Sequence, residues 1–326
     1  MPLEKTMSSP ANISKDCFQN LPKRLKAHVD YLAGEIGERN FANPTNLELA
    51  AKYIHDSFKS AGYNPLFEEF RIGKLPWLTK FRTSRNEKGF LKEIDTFKNI
   101  SASLAGSSRE VIVVGAHYDT VLGTPGADDN ASGIAALLEL SRLLQGTALE
   151  KTITFVAFGN EEPPFFRTSA MGSAHYVAAS VQAGQQILFM ISLEMLGFYS
   201  DEPFSQKYPP ILKFFYPHQA NFIALVGNIA SRRYVKRMVN VFKENCNIGV
   251  ESIAAPRFVP GIDFSDQLNF WKRKIPAVMV TDTAFYRNAH YHRGSDLPSA
   301  LNYEKMAEVV KGAFAFLLEI STLTRG

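Results

Sequence analysis

From residue 110 onward, short apolar runs rich in β-branched residues alternate with segments of helical periodicity. The apolar runs are VIVVGA, TITFVAF, ILFMISL, IALVG, VESIAA and AVMVTD. Helices are predicted at about 132–144, 169–179, 231–245 and 303–320. Strands that alternate with helices usually pair in parallel, and the helices then cover both faces of the sheet. The sequence therefore predicts a three-layer α/β fold around a mostly parallel mixed sheet.

The first hundred residues predict packing elements and carry no chemical signal. Helices are predicted at 21–36 and 44–61, where Asn43 can cap and Pro44 suits the first turn. The stretch 66–105 predicts antiparallel strands around a polar, hairpin-like segment, RTSRNEKG. Since no Gly/Ser-rich linker divides the chain, we expect an N-terminal extension at 1–20 and one domain at 21–326. An irregular insertion rich in proline and aromatic residues is expected at about 199–220.

Composition excludes several classes of function. Lys+Arg at 36 against Asp+Glu at 32 leaves a net charge of +4, too small to predict a nucleic-acid or membrane-surface partner. No apolar run reaches the roughly 18 residues of a membrane-spanning helix, and no secretory h-region is visible, so we predict a cytoplasmic protein. Cys17 and Cys246 lack C-x-x-C spacing, so any metal must be held by His, Asp and Glu.

Histidines and carboxylates follow several of the predicted strands. Ligands of open α/β sheets bind outside the carboxyl ends of the strands, so these positions are the ones to inspect. They are His117, Asp119, Asp128, Asp129, Glu161, Glu162, Glu194 and His292. Taken singly, each has an ordinary explanation, such as a helix cap at Asp128 or a solvated turn at Glu161. Together, imidazoles and carboxylates without a thiolate suit zinc, and the set can hold two ions with a bridging carboxylate.

Such a pair of ions predicts hydrolytic chemistry. Two ions about 3.5–4 Å apart would share a water, lower its pKa and stabilise both ends of a displacement. A carboxylate beside a ligand would then serve as the general base.

The motifs resemble the co-catalytic zinc aminopeptidases of peptidase clan MH, which also contains glutaminyl cyclases and glutamate carboxypeptidases. The matching segments are GAHYDTVLGTPGADDNASGIAALLEL, AFGNEEPPFFRTSAMGSAHY, SLEMLGFYS and AHYHRGSDLPSAL. They span roughly 110–313 and stand in the family's order. The resemblance implies a zinc exopeptidase-like fold.

The resemblance also implies roles for individual residues. The metal ligands are expected to be His117, Asp128, Glu162, Glu194 and His292. Asp128 is expected to bridge the two ions, with a cis peptide bond between Asp128 and Asp129. Glu161 is expected to be the general base, and Asp119 the carboxylate that orients His117.

Three positions near the last ligand leave alternatives open. His290 competes with His292, which is favoured because Asp296 follows it in the family's YH-x-x-x-D pattern. Tyr286 and Arg287 could contact the substrate or the tetrahedral intermediate, or could be packing residues.

Two positions depart from the commonest family residues. Glu194 stands where many members carry Asp, and the longer side chain should still bind one oxygen. Gln267 stands where many relatives have a histidine, which is not a metal-ligand position.

The resemblance predicts a metallo-aminopeptidase that binds two zinc ions per chain and hydrolyses the first peptide bond of a peptide with a free N-terminus. The alternative is a glutaminyl-peptide cyclotransferase with one zinc. A catalytically inactive binding scaffold is less favoured because every ligand position and the base position are filled. The aromatic residues of FGNEEPPFF and of the insertion at 199–220 suggest an apolar side-chain pocket. Four of them could equally belong to the core: Phe165, Phe166, Phe198 and Phe214.

Overall fold

The computed structural model describes residues 15–72, 96–209 and 212–322. The polar segment RTSRNEKG and most of the predicted N-terminal extension lie outside these ranges. The described part of the predicted insertion at 199–220 is irregular, with one short helical turn at Leu212–Phe214.

The described strands form one eight-stranded sheet in the order β1-β2-β4-β3-β5-β8-β6-β7. The strands are β1 (Leu66–Arg71), β2 (Thr96–Leu104), β3 (Glu110–His117), β4 (Thr152–Phe158), β5 (Gln186–Glu194), β6 (Phe222–Gly227), β7 (Gly249–Ala254) and β8 (Ala277–Thr281). Strands β4, β3, β5 and β8 are parallel neighbours, and so are β6 and β7. The β1/β2, β2/β4 and β8/β6 pairs are antiparallel, which confirms the predicted mixed sheet.

Helices cover both faces of the sheet. They are α1 (Leu21–Val29), α2 (Pro44–Ser60), α3 (Gly133–Leu144), α4 (Gly172–Gln182), α5 (Arg232–Asn245), α6 (Gln267–Lys272) and α7 (Tyr303–Thr322). Residues of α1, α2, α3, α5 and α7 join one apolar cluster with Ile112 and Val114. Residues of α4 and α6 join the other with Val111 and Val113. Because successive residues of β3 point to opposite clusters, its apolar run is buried on both faces, and the three-layer prediction is confirmed.

The predicted helices lie within a few residues of the observed ones, whereas the short α6 was not predicted. Among the described residues, no helix combines the length and apolar character that crossing a membrane requires.

Candidate metal centre

Asp129 lies between the two histidines that the sequence singled out. Its Oδ1 is 3.3 Å from His117 Nε2, and its Oδ2 is 3.2 Å from His292 Nε2. Both Nε2 atoms are buried and make no hydrogen bond to a described residue. Each carboxylate oxygen of Asp129 therefore faces an imidazole nitrogen that needs a partner.

Two further carboxylates complete two groups around Asp129. Glu194 Oε2 is 3.4 Å from His117 Nε2, and Glu162 Oε2 is 3.4 Å from His292 Nε2. In each of the two groups, the possible ligand atoms lie within 4.8 Å of one another. A third group joins His117 to Glu161 and Glu162. The first two groups are candidate cation sites that share the carboxylate of Asp129.

The structure contradicts the bridging role predicted for Asp128. Asp128 Oδ1 accepts a hydrogen bond from the backbone N–H of Gly197 (2.8 Å), and its Oδ2 accepts one from Asn288 Nδ2 (2.7 Å). Burial, followed by the charge of Asp282, raises the pKa of Asp128 well above its usual range. Both carboxylate oxygens of Asp128 therefore already accept hydrogen bonds, and the neighbouring acid is Asp282.

The prediction of a cis bond between Asp128 and Asp129 is also wrong, since the cis bond joins Asp129 to Asn130. Two contacts place this turn: Asp296 accepts the backbone N–H of Asp128 (2.9 Å) and that of Asp129 (3.1 Å). Gly126 begins the turn with φ +60°, and a Cβ there would come within 2.2 Å of the Asp129 carbonyl oxygen. These contacts determine whether Asp128 or Asp129 faces the histidines. The spacing of residues in the sequence does not reveal them.

Asp119 holds Glu161 and Glu162 through their backbone N–H groups. Its carboxylate accepts the N–H of Glu161 and that of Glu162, each at 3.0 Å. Asn160, with φ +57°, makes the sharp turn that precedes them. His117 Nδ1 donates to the backbone carbonyl of Asp119 at 3.2 Å, whereas the side chain is 3.6 Å away. The carbonyl therefore orients the ring and directs Nε2 toward Asp129.

The group of acids is more negative than the two imidazoles can balance. Burial lowers the pKa of His117, but Glu194 and Glu161 outweigh it and raise this pKa well above its usual value. Burial and the charge of Asp129 raise the pKa of Glu162 to about 8. Burial also raises the pKa of Glu161, and Glu162 and Glu194 add to this. Bound cations would relieve this repulsion, so the residues present fit metal ions.

Two further residues that the sequence singled out, His290 and Gln267, lie outside the candidate ligand groups. His290 Nδ1 lies 2.9 Å from Ser295 Oγ, and His290 is in none of the candidate ligand groups. Gln267 is buried and donates to the Ile262 carbonyl, outside those groups.

The two predicted substrate contacts differ in placement. Tyr286 lines a cavity that begins at Glu194. Arg287 is buried, donating to Gln206 Oε1 and to the Phe222 carbonyl, each at 2.8 Å, and it does not line that cavity.

Sequence reasoning missed several supporting residues. Ser265 Oγ donates to Glu194 Oε2 at 2.6 Å. Asn130 Oδ1 accepts the backbone N–H of Met195 at 3.1 Å, which ties the Asp129 turn to the end of β5. Serine and asparagine in loops are too common to predict such contacts from one sequence.

Arg39 was missed as well, and it braces the loop that carries Asp119 and leads to Asp129. Its guanidinium donates to the carbonyls of Tyr118 (3.0 Å), Pro125 (2.6 Å) and Gly126 (3.0 Å). Burial lowers the pKa of Arg39 to about 10, while Asp296, Asp119 and Asp129 act in the opposite direction.

We expect Arg39→Leu to lower the free energy of unfolding by about 3–5 kcal/mol, because it leaves these carbonyls and nearby acids without their buried partner. Urea denaturation followed by circular dichroism measures the change. Arg232→Leu, at an exposed position of α5, is the control and should change stability by less than about 0.5 kcal/mol. Equal effects of the two substitutions would contradict the bracing role.

Comparison with known proteins agrees with this geometry. Residues 99–317 match the sequence pattern of Peptidase family M28. The match covers about two thirds of the chain and includes all of the candidate ligands. The chain belongs to peptidase family M28. By that membership it is a peptide-bond hydrolase, which confirms the class of enzyme expected from the motifs.

Two relatives illustrate its place among known M28-like sequences. Uncharacterized protein YfbL of Escherichia coli (strain K12) is 40% identical over 305 residues, covering 91% of this chain and 87% of YfbL. A probable leucine aminopeptidase of Arthroderma otae is 25% identical over 237 residues. That match covers 68% of this chain and 57% of the longer relative.

Solved structures share the fold of this M28 member. BSAP, a zinc aminopeptidase from Bacillus subtilis, superposes with a TM-score of 0.70 at 16% identity, covering 94% of this chain and 96% of BSAP. Glutaminyl cyclase from Fimbriiglobus ruber gives a TM-score of 0.63 at 18% identity, covering 95% and 99%. At these identities the likeness concerns the fold alone.

Proposed function

We propose that this M28 member is a zinc-dependent aminopeptidase with two ions per chain. The observation that carries the proposal is the position of Asp129, whose two oxygens face the unpartnered Nε2 atoms of His117 and His292. His117, Asp129 and Glu194 would hold one ion, and Asp129, Glu162 and His292 the other.

Zinc suits this donor set because its members are imidazoles and carboxylates, with no thiolate among them. When bound, the ions would supply an acidic water and polarise the scissile carbonyl. The resemblance of the fold to that of a zinc aminopeptidase supports the choice of metal.

Glu161 is the proposed general base. Its Oε2 lies 3.9 Å from His117 Nε2, farther than the oxygens of Asp129 and Glu194. Glu161 also belongs to a possible ligand group with His117 and Glu162, but that group lacks Asp129, so we assign Glu161 to the water and not to an ion. It would take a proton from the attacking water and pass it to the leaving amine. Bound cations would favour its charged form, which can accept that proton, while its burial favours the protonated form that holds the proton between the two transfers.

The surplus of carboxylates also explains a preference for a free N-terminus. An α-ammonium group would be attracted to these acids, whereas an α-carboxylate would be repelled by them. The match to a probable leucine aminopeptidase supports the same polarity of peptide recognition.

A glutaminyl cyclase is the second candidate, because the fold is also shared with a protein of that activity. A peptide that begins with Gln-Leu separates the two functions by product mass. The aminopeptidase releases free glutamine and a peptide that begins with leucine. Loss of ammonia alone, with every residue retained, would replace the proposal with the cyclase.

A further inference from the structure

The cavity that begins at Glu194 continues over one face of the sheet, away from the candidate metal centre. The space in it that the centre of a water molecule can reach is about 110 Å³. Its floor includes residues of β5, β8, β6 and β7, and its walls are mostly apolar and aromatic. An open, mostly apolar cavity next to the candidate metal centre can accept a substrate side chain.

A row of four paired residues crosses the floor from end to end. Glu194 on β5 pairs with Thr281 on β8, Thr281 pairs with Ala224 on β6, and Ala224 pairs with Glu251 on β7. Neighbouring strands lie about 4.8 Å apart, so the Cα atoms of the two glutamates are about 14 Å apart. Thr281 and Ala224 are small, which leaves the floor between the glutamates open.

Glu251 closes the far end of this cavity as a half-buried carboxylate. Glu194 and Glu251 are the only charged residues among the described lining of the cavity. The ion pairs found within 15–72, 96–209 and 212–322 do not include Glu251. Burial raises the pKa of Glu251 above its usual value, and the charge of Lys243, an exposed residue of α5, acts in the opposite direction without forming an ion pair with it. Beside it, the rings of Tyr208 and Tyr216 stack with centroids 5.7 Å apart. A carboxylate beside aromatic rings is an environment that can bind a cation.

The nearest buried cation does not oppose this assignment. The guanidinium of Arg287 lies over the Phe222 ring, 4.5 Å from its centroid, and outside the lining of the cavity. The negative charge of Asp282 favours the charged form of Arg287 and raises its pKa, against the effect of burial.

We propose that Glu251 is a specificity-determining residue that selects peptides beginning with arginine or lysine. The inference rests on the proposed aminopeptidase function, which places the α-amino group and the first peptide bond at the Glu194 end. The aliphatic stem of the first side chain then lies along Thr281 and Ala224, and its cationic head reaches Glu251. Such side chains extend about 6–7 Å from Cα, and the Glu251 side chain covers part of the remaining distance. The Glu194 side chain does not shorten it, because Glu194 Oε2 lies toward His117 on the other side of β5.

The test compares kcat/KM for dipeptides that begin with arginine, citrulline or leucine. Citrulline is a neutral match for arginine in length and shape. We expect the wild-type protein to prefer arginine over citrulline at least about tenfold, and Glu251→Gln to remove that preference while leaving leucine within about twofold. Glu244→Gln, an exposed substitution on α5 with the same loss of charge, should leave all three values unchanged.

The possible outcomes distinguish failure of the role of Glu251 from failure of the proposed aminopeptidase function. Equal rates for arginine and citrulline in the wild-type protein, or an equal loss for all dipeptides in Glu251→Gln, would overturn the role of Glu251 and leave the aminopeptidase standing. If no dipeptide is cleaved, the proposed function fails. Calorimetric measurement of argininamide and citrullinamide binding then tests whether Glu251 recognises a cationic side chain. Tighter binding of argininamide that Glu251→Gln abolishes would support it, and equal binding of the two would refute it.

Discussion

Glu161→Gln lowers kcat for release of an N-terminal leucine by roughly 10²- to 10⁴-fold, the range expected for loss of a general base. The amide has nearly the same shape as the carboxylate but cannot accept the proton of the attacking water. The contact that positions this residue runs from its backbone N–H to Asp119 Oδ1 and survives the substitution. We therefore expect the fold and the bound zinc to be retained.

Steady-state kinetics on a leucine dipeptide, with zinc measured on the same sample, check this result. Glu202→Gln, an exposed glutamate in the irregular segment after β5, controls for loss of a negative charge and should behave as wild type. Near-normal turnover by a zinc-loaded Glu161→Gln protein would show that another group accepts the proton.

Asp129→Asn is expected to lower the rate of hydrolysis more than about 100-fold. Loss of a residue that only hydrogen-bonds to a metal ligand typically costs about 10- to 100-fold. Asparagine offers one neutral oxygen where two charged oxygens face His117 and His292. Both candidate ion sites share Asp129, so a single substitution weakens both.

The matched control is the adjacent residue, Asp128→Asn, which should stay within about tenfold of wild-type activity. Burial already favours the neutral acid at Asp128, and burial raises the pKa of its neighbour Asp282 to about 6. An amide at that position keeps an acceptor for the Gly197 N–H and loses the one for Asn288 Nδ2. We expect this loss to lower stability more than activity, because the candidate ligand groups do not include Asp128. Hydrolysis of the leucine dipeptide by the two purified variants gives the comparison, and the reverse order of activities would restore Asp128 as the bridging residue.

The chemistry of the centre was predictable because parallel strands bring their carboxyl ends to one edge of the sheet. His117, Glu161 and Glu194 each end or follow an apolar run, so their convergence follows from strand direction alone. The choice between Asp128 and Asp129 was not predictable, since the backbone conformation of one turn decides which side chain faces the histidines. That conformation is held by the contact with Asp296, 168 residues away from Asp128 along the chain.

The far end of the cavity was also beyond sequence reasoning. IALVG and VESIAA were predicted as strands, but their order in the sheet was not. Glu251 faces Glu194 only because β6 lies antiparallel to β8 and β7 pairs with β6 at the edge. Alternation of apolar runs predicts strands, whereas strand order depends on packing between elements that are distant in sequence.

Zinc content per chain, measured by mass spectrometry after dialysis of the wild-type, Asp128→Asn and Asp129→Asn proteins, tests the shared carboxylate most directly. The geometry predicts about two zinc ions in the wild-type and Asp128→Asn proteins and fewer than one in Asp129→Asn. Equal zinc content in all three proteins, or loss of zinc in Asp128→Asn alone, would contradict a centre built around Asp129.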